Sequence, residues 1–298
     1  MKIAVTGSSG LVGSALVRAL RADGHEVLRL VRRTAQAADE VTWDPAAGEL
    51  RGEDLHGVQA AVNLAGAGIG DRRLTPAYRD KVLASRIGAT TTLARTMAAL
   101  RPRPSVLLSG SAVGWYGDPG NREVDETEPP GSGFIPDMVR QWEAATAPAE
   151  DAGIRVVHLR SGIVLSASGG ALAKVLPLFR LGLGGRLGSG RQYMSWISLP
   201  DEVGAIGFLL TAGGVSGPVN LTTPHPVTNA VYTRAIGRVL GRPTLFAVPG
   251  FALRLALGGF AEEVLARRRV LPRRLLEAGY PFQHPDIDDA LRAVIGGP

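Results

Sequence analysis

Three glycines spaced three residues apart follow the first apolar run of the chain, and they constrain its fold more than any other feature. Residues 3–6 predict a strand, Gly7, Gly10 and Gly13 come next, and the amphipathic run to residue 22 predicts a helix. Gly7 permits a tight turn, Gly10 lets the backbone approach a pyrophosphate, and Gly13 lets the helix pack close to the sheet. The helix N-terminus then offers N–H groups to phosphates. The sequence therefore predicts a strand–loop–helix unit that binds a dinucleotide.

Short β-branched runs alternate with longer amphipathic runs throughout the first half of the chain. This alternation is typical of a parallel sheet with crossover helices. We therefore predict an α/β fold, with a doubly wound Rossmann sheet and a smaller C-terminal α/β substrate lobe. The predicted Rossmann domain spans 1–162, with 199–214 returning to it, and the predicted lobe takes 163–198 and 215–298.

The composition limits the class of protein. A hydrophobic content of 45% and a charged content of 20% over 298 residues exclude a disordered chain. The absence of cysteine excludes disulfides, thiol nucleophiles and Cys-ligated zinc, and no residue spacing indicates another metal site. The first apolar run is too short for a signal peptide, and no run is long enough to span a bilayer. We expect a cytoplasmic protein with no membrane partner.

Positive charge exceeds negative charge, with a formal net charge of +6. The one dense basic cluster is Arg267 to Arg269 with Arg273 and Arg274. Acidic residues flank this cluster and no aromatic residue is interleaved with it, which indicates a solvated helix face. We therefore expect no nucleic-acid partner.

The end of the second predicted strand indicates which dinucleotide is bound. An NAD site usually carries an acidic residue there for the ribose hydroxyls, whereas this strand ends in Arg32 and Arg33. Guanidinium groups suit a 2′-phosphate because they are always charged and bind in bidentate fashion. Ordinary surface arginine in an arginine-rich chain is the alternative interpretation. The sequence favours NADP(H) over NAD(H).

Further motifs end the later predicted strands: Asn-Leu-Ala-Gly at 63–66, Ser-Gly-Ser-Ala-Val-Gly-Trp-Tyr-Gly-Asp at 109–118, and Arg-Ser-Gly-Ile-Val-Leu at 160–165. Together with the glycine loop, they resemble the extended short-chain dehydrogenase/reductases. The match is best to an atypical branch, the epimerase-family proteins that sometimes carry a cell-division-inhibitor label. Other segments match that branch too, so the resemblance covers essentially the whole chain: Ser85-Arg86, Trp142-Glu143, 182–190 and 269–280.

The resemblance implies a two-lobed molecule with NADP(H) in the Rossmann cleft. Arg32 with Arg33 would then hold the 2′-phosphate, Arg86 would approach the cofactor, and Ile163 or Val164 would lie at the nicotinamide end. The predicted cofactor-binding residues are Gly7, Ser8, Ser9, Gly10, Leu11, Val12, Gly13, Arg32, Arg33, Asn63, Leu64, Ala65, Gly66, Arg86, Ser109, Ile163 and Val164.

The catalytic group usual in this family is a Tyr-x-x-x-Lys pair with a Ser or Thr. The lysine lowers the pKa of the tyrosine, which is otherwise near 10 and a poor base at neutral pH. Ser111 matches the serine position. Lysine occurs only at 2, 81 and 174, and none of these follows a tyrosine by four residues. The standard pair is therefore absent from the sequence.

Two interpretations remain open. In the first, Ser111 or Tyr116 relays a proton during hydride transfer on a small carbonyl, alcohol or nucleotide-sugar substrate, and Arg180, Arg186 and Arg191 would suit an anionic one. A turn role for Ser111 and an aromatic pocket wall for Tyr116 are the structural alternatives. In the second, the protein binds NADP(H) without turnover and reports the cofactor's state to a partner, for example in cell division. The sequence does not indicate an oligomeric state.

Overall fold

The strands of the computed structural model, which describes residues 1–296, are numbered in chain order: β1 Lys2–Thr6, β2 Glu26–Val31, β3 Glu40–Thr42, β4 Ala60–Asn63, β5 Val106–Ala112, β6 Glu123–Val124, β7 Arg155–Ser161, β8 Ile163–Leu165, β9 Gly185–Leu187, β10 Tyr193–Met194, β11 Trp196–Ser198, β12 Gly217–Leu221, β13 Val227–Thr228, β14 Phe246–Val248 and β15 Arg269–Val270. The α-helices are α1 Leu11–Ala22, α2 Pro76–Ala99, α3 Phe134–Ala144, α4 Ala147–Asp151, α5 Gly170–Arg180, α6 Leu199–Thr211, α7 Asn229–Leu240, α8 Gly250–Leu257, α9 Phe260–Leu265, α10 Arg273–Glu277 and α11 Ile287–Ile295. Short 3₁₀ helices lie at Gly52–Leu55 and Val113–Tyr116.

Seven strands form the central sheet, in the order β12-β7-β5-β4-β1-β2-β3, and every neighbouring pair is parallel. The chain moves outward in one direction from β1 to β3 and then in the other direction from β4 to β12. The strand order therefore reverses between β1 and β4, and ligands of doubly wound sheets bind beyond the carboxyl ends of the strands at such a point. The predicted Rossmann architecture is confirmed.

The central strands are buried on both faces, as parallel strands between helices must be. Side chains alternate between two cores. Ile3 and Val5 pack with α1 and α6 on one face, whereas Ala4 and Leu107 pack with α2 on the other. This double burial explains why the strands of the first half are nearly continuous apolar runs.

Local residues define the start of α2. The Thr75 side chain accepts a hydrogen bond from the Tyr78 N–H, and Pro76 occupies the first helical position. The helix runs to Ala99. None of the helices within residues 1–296 is both long and apolar enough to cross a bilayer.

Strand β12 corrects one part of the predicted domain division. Residues 215–298 were assigned to the second lobe, but β12 pairs with β7 along Val157–Ser161 as the edge strand of the central sheet. Its apolar side chains Val219 and Leu221 are fully buried in the core shared with α6. The strand belongs to the sheet because these side chains complete that core. Such tertiary contacts cannot be predicted from the local sequence. The rest of the division stays a prediction.

Paired strands tie the later segments of the chain together. Two of these sheets, β8 with β11 and β9 with β14, are parallel and lie wholly in the later part of the chain, as does the antiparallel pair β10 with β13. A third parallel pair joins β6, inside the long loop after β5, to β15. Trp196, Leu172 and Leu291 form the buried centre of a third core, in the later part of the chain. The long loop after β5 is thus fastened to the C-terminal segment.

Candidate cofactor-binding and active site

The glycine loop between β1 and α1 is packed too tightly to accept side chains. Gly7 has a φ of +64°, and a Cβ on it would overlap the carbonyl oxygen of Leu64. A Cβ on Gly13 would overlap the carbonyl of Gly7, so this glycine packs α1 against the loop rather than against the sheet as predicted. The N–H of Gly10 donates to Gly7 O at 2.9 Å. These contacts bring the turn directly onto the segment that follows β4.

The N-terminus of α1 has the properties of an anion site. Its N-cap is Gly10, which has no side chain to cap the helix, and the first turn contains no acidic residue. The N–H groups of Leu11, Val12 and Gly13 therefore lack intrahelical partners, and the helix dipole adds positive potential. Ser8 is nearly buried and Ser9 is exposed. This cradle fits a pyrophosphate, as the sequence predicts.

A buried polar network holds the segment after β4 in place. The Thr6 hydroxyl donates to Asn63 Oδ1 at 2.7 Å and accepts from the N–H groups of Leu64 and Ala65, both at 3.0 Å. Asn63 Nδ2 donates to the Thr90 hydroxyl at 2.9 Å. Asn63, predicted to bind the cofactor, is fully buried, and its side chain orders the loop. Thr6 and Thr90 were not singled out from the sequence; a hydroxyl ending an apolar strand is the signal at Thr6.

The two arginines after β2 have different environments. Arg33 makes a bidentate contact with Glu40, at 2.8 and 2.7 Å. This guanidinium and the Gln36 N–H lower the pKa of Glu40 to about 2. Arg32 is exposed, and within residues 1–296 no carboxylate oxygen lies within 4.0 Å of it. Arg32 is thus available to a phosphate, whereas Arg33 is engaged in fastening β3.

Arg86 is a half-buried cation beside the predicted cofactor path. Its Nη1 donates to the carbonyl oxygens of Ala67 and Val82, at 2.9 and 3.1 Å, and its guanidinium lies 4.9 Å from the Trp142 ring centre. Burial lowers its pKa to about 10, and its Nε has no hydrogen-bond partner among the described residues. A Cβ on Gly66 would lie 3.3 Å from the Arg86 side chain. A partly buried cation with no carboxylate partner in the described chain favours an anionic ligand.

The predicted catalytic residues lie in one buried network. The Ser111 hydroxyl donates to Glu143 Oε1 at 2.6 Å. Arg160 donates to both oxygens of that carboxylate, at 2.8 and 2.9 Å, and to the Tyr116 hydroxyl at 3.1 Å. Tyr116 in turn donates to Asn220 Oδ1 at 2.8 Å. The geometry therefore brings Ser111 and Tyr116 together through a Glu–Arg ion pair that the sequence did not predict.

The environment of Tyr116 holds its proton. The residue is 3% exposed, and burial raises the pKa of its phenol to about 12, although Arg160 opposes this shift. The cation beside the Tyr116 phenol is Arg160. A phenol with this pKa remains protonated at neutral pH, so it is poorly suited to act as a base. The geometry agrees better with the structural alternative, in which Tyr116 is an aromatic wall of the pocket, than with catalysis. The catalytic role of Tyr116 stays a prediction.

The remaining predicted residues surround the same carboxyl edge of the sheet. Ser109 is buried on β5, and its hydroxyl has no hydrogen-bond partner within the described residues. Ile163 and Val164 are half-buried on β8. A Cβ on Gly169, at the turn before α5, would lie 3.1 Å from the Leu11 side chain. The turn after β8 thus lies against the glycine loop.

Glu202 is a buried acid that the sequence did not single out. Its Oε1 accepts from the Ser161 hydroxyl at 2.6 Å, and Oε2 has no partner within residues 1–296. Burial raises its pKa to about 8. An acid in the first turn of a helix is normally solvated and offsets the helix dipole, so nothing in the local pattern marks it as buried.

The basic cluster near the C-terminus is engaged in ion pairs within the molecule. Its pairs are Arg267 with Asp118, Arg268 with Glu263, Arg269 with Glu123, and Arg273 with both Asp125 and Glu277. Three of these carboxylates lie on the loop between β5 and α3. The cluster therefore fastens that loop.

Comparisons with known proteins agree with this geometry. The model of the NAD dependent epimerase/dehydratase family matches residues 3–221, and a domain of unknown function, DUF1731, matches residues 248–294. Epimerase family protein Mb2239 of Mycobacterium bovis is 48% identical over 290 residues, which cover 97% of this chain and 96% of that protein. Epimerase family protein SDR39U1 of Homo sapiens is 36% identical, covering 99% of this chain and 100% of that protein.

Solved structures extend the comparison. The crystal structure of human epimerase family protein SDR39U1 (isoform 2) with NADPH superimposes with a TM-score of 0.93 and 35% identity, covering 100% of both chains. A nucleoside-diphosphate sugar epimerase from Corynebacterium glutamicum gives a TM-score of 0.83 and 33% identity, covering 99% of this chain and 58% of that one.

Proposed function

The chain belongs to the NAD dependent epimerase/dehydratase family, and on that premise we propose that it is an NADP(H)-dependent oxidoreductase or epimerase. The observation that carries the proposal is the uncapped N-terminus of α1 after β1, together with an Arg32 that follows the neighbouring strand β2 and has no carboxylate partner in the described chain. A relative of 35% identity over its full length has been crystallised with NADPH, which supports the same cofactor here.

Each part of the proposed site has a separate task. The first turn of α1 binds the pyrophosphate, Arg32 binds the 2′-phosphate, and Arg86 adds positive charge beside Gly66. When bound, the nicotinamide supplies or accepts the hydride. Because Gly7 and Gly10 carry no side chains, the backbone of the loop can approach the phosphates closely.

The proton-transfer group is the less supported part of the proposal. Ser111 donates its own proton to Glu143, which leaves its oxygen able to accept a hydrogen bond from a substrate hydroxyl. The Tyr116 oxygen is already engaged by Arg160 and Asn220. We therefore propose that Ser111 orients the substrate and that Tyr116 supports the site. A small carbonyl, alcohol or nucleotide sugar is the proposed substrate, and the relative named a nucleoside-diphosphate sugar epimerase supports the last of these.

The cofactor proposal is tested with Arg32→Ala and a matched Arg33→Ala variant. Loss of a guanidinium–phosphate contact should weaken NADPH binding at least about tenfold and leave NADH binding nearly unchanged. Arg33→Ala should lower stability through Glu40 but keep the NADPH-to-NADH preference. Titration of each cofactor by fluorescence measures both. Equal losses for NADPH and NADH in Arg32→Ala would refute the assignment.

Turnover is tested by following nicotinamide absorbance with a panel of carbonyls and nucleotide sugars. Ser111→Ala should reduce turnover while NADPH affinity is kept. A second function, NADP(H) binding without turnover, is favoured by one observation: the hydroxyls of Ser111 and Tyr116 are both held in a buried network. Tight NADPH binding with no turnover on any substrate, in the parent chain as in Ser111→Ala, supports that second function.

A further inference from the structure

We infer that one face of the C-terminal half docks on the surface of a bilayer that contains anionic phospholipids. We call it the apolar face, and it consists of Leu178, Leu181, Leu183, Leu245, Phe246, Phe251 and Leu255. Each of these side chains is more than half exposed, from 51% at Leu178 to 88% at Leu245. Among residues 1–296, the only other exposed large apolar side chains are Met1 and Leu276. Exposed apolar surface is thus concentrated in one region, as at interaction sites.

The apolar face lies on adjoining elements. Leu183 follows the end of α5, and its N–H donates to Leu178 O at 2.9 Å. Strand β9 then pairs with β14, with Gly185 opposite Phe246. Helix α8 begins after a single linking residue, Pro249. The segments 178–187 and 245–255 therefore form one continuous part of the surface.

Helix α8 shows that this surface is made for an apolar partner. Phe251 and Leu255 are four residues apart, so they share a helix face, and they are 72% and 76% exposed. Leu253, on the other side, is buried. A surface helix in water normally presents polar residues outward. The outward pair here needs another environment.

The charge around the apolar face indicates that the partner is anionic. Between Asp151 and Glu262 the only acidic residues are Asp201 and Glu202, and each is 1% exposed. Three exposed arginines, Arg180, Arg186 and Arg254, lie on the same segments, and a fourth, Arg242, comes three residues before the second segment. Within the described part of the chain, none of the four has a carboxylate oxygen within 4.0 Å, in contrast to the paired cluster at Arg267 to Arg273. Their charge is uncompensated.

An anionic bilayer matches both properties at once. Its acyl region accepts Leu and Phe side chains, and its headgroup phosphates accept arginines. A second copy of this chain would bring uncompensated arginines against each other. A nucleic acid would leave the leucines without a partner, because bases stack on aromatic rings. No membrane partner is expected from the sequence because no run is long enough to span a bilayer, but peripheral docking requires no spanning segment.

The test is flotation of the full chain with vesicles of phosphatidylcholine, with and without phosphatidylglycerol. The chain should float with the mixed vesicles and remain behind with phosphatidylcholine alone. Phe251→Ser with Leu255→Ser should lower the bound fraction at least about tenfold. Leu276→Ser, an exposed apolar side chain outside the apolar face, is the control and should float like the parent chain.

Charge reversal separates the electrostatic contribution. Arg180→Glu with Arg242→Glu should abolish flotation, whereas Arg18→Glu with Arg101→Glu, an equal change of net charge at exposed sites elsewhere, should reduce it only slightly. Melting temperature and NADPH affinity, unchanged in all variants, establish that they are folded.

Four outcomes would overturn the inference. Three concern flotation: none of the parent chain, equal flotation with neutral vesicles, and an equal loss in the control variants. The fourth is a chain that does not bind vesicles but self-associates or binds RNA, where Phe251→Ser with Leu255→Ser abolishes that interaction.

Discussion

Burial of Glu202 makes the stability of the folded chain depend on pH. Its pKa of about 8 lies far above the ordinary value for a glutamate, because the side chain is 1% exposed and no cation pairs with it in the described structure. The folded chain therefore holds a proton that the unfolded chain releases near its ordinary pKa. The stability from this group is fully present below that ordinary pKa and is lost as pH rises through about 8.

Glu202→Gln should remove this dependence, because an amide stays neutral and its oxygen still accepts from Ser161. Between pH 5 and pH 8 the parent chain should lose roughly 3 kcal/mol of unfolding free energy that the variant keeps. Urea unfolding at several pH values measures the difference. An exposed glutamate changed in the same way, Glu49→Gln, should follow the parent chain. Parallel curves for the parent chain and Glu202→Gln would contradict the assignment.

Ser111 shows how far a single residue could be predicted. The motif around it placed it at the end of a strand near the cofactor, and the structure has it there, at the carboxyl end of β5. Its partner Glu143 lies on α3, and the Arg160 that completes the ion pair lies on β7. No local pattern relates these two, because a buried ion pair depends on which side chains two distant elements bring together. The motif therefore predicted where Ser111 lies, whereas tertiary packing determines that Glu143 is its partner.

At the scale of elements, α1 depends on the closeness of its first turn to the preceding loop. A methyl group on Gly13 would overlap the Gly7 carbonyl, so Gly13→Ala must displace the turn that binds the pyrophosphate. We expect NADPH affinity to fall at least about tenfold and the melting temperature to drop by several degrees.

The matched control for this prediction is Gly207→Ala, on α6. A Cβ there meets nothing within 4 Å, so the change should raise stability by about 0.5–1 kcal/mol through helix propensity and leave NADPH binding intact. Cofactor titration and thermal melts check both variants. Unaltered NADPH affinity in Gly13→Ala would show that the close approach has no functional role.

Elements with strong local signals could be predicted, and those made by distant pairing could not. From the sequence, residues 26–31 predict a strand, and residues from about 75 to 99 predict a helix that the prolines at 102 and 104 stop. β2 has the first bounds, and α2, at Pro76–Ala99, starts within a residue of the second and ends with it. β6 and β15 are two residues long and exist only because Glu123 lies opposite Arg269. A run that short has no periodicity of its own.

At the scale of the whole molecule, the C-terminal segment completes the core of the central sheet. Leu275 is fully buried and Tyr280 nearly so, both within the core that β12 and α6 share. The Tyr280 hydroxyl donates to Asp201 O at 3.0 Å, and Asn220 Nδ2 donates to Leu271 O at 2.9 Å. The match of the epimerase/dehydratase family ends at residue 221, but the packing does not end there.

A chain cut after residue 221 should therefore fail to unfold cooperatively, although it retains every strand of the central sheet. Removing the C-terminal segment exposes the side of α6 that packs in the core with Leu275 and Tyr280. It also leaves the buried Asn220 side chain without its carbonyl partner. A domain stable by only about 5–15 kcal/mol does not tolerate such losses. Circular dichroism melts and NADPH titration measure the effect.

Leu275→Ala in the full chain is the matched comparison. It should lower the free energy of unfolding by about 2–5 kcal/mol while cooperative unfolding is kept. A shortened chain that melts cooperatively and binds NADPH like the full one would mean that the Rossmann half folds independently, and that the C-terminal contacts contribute to the second lobe alone.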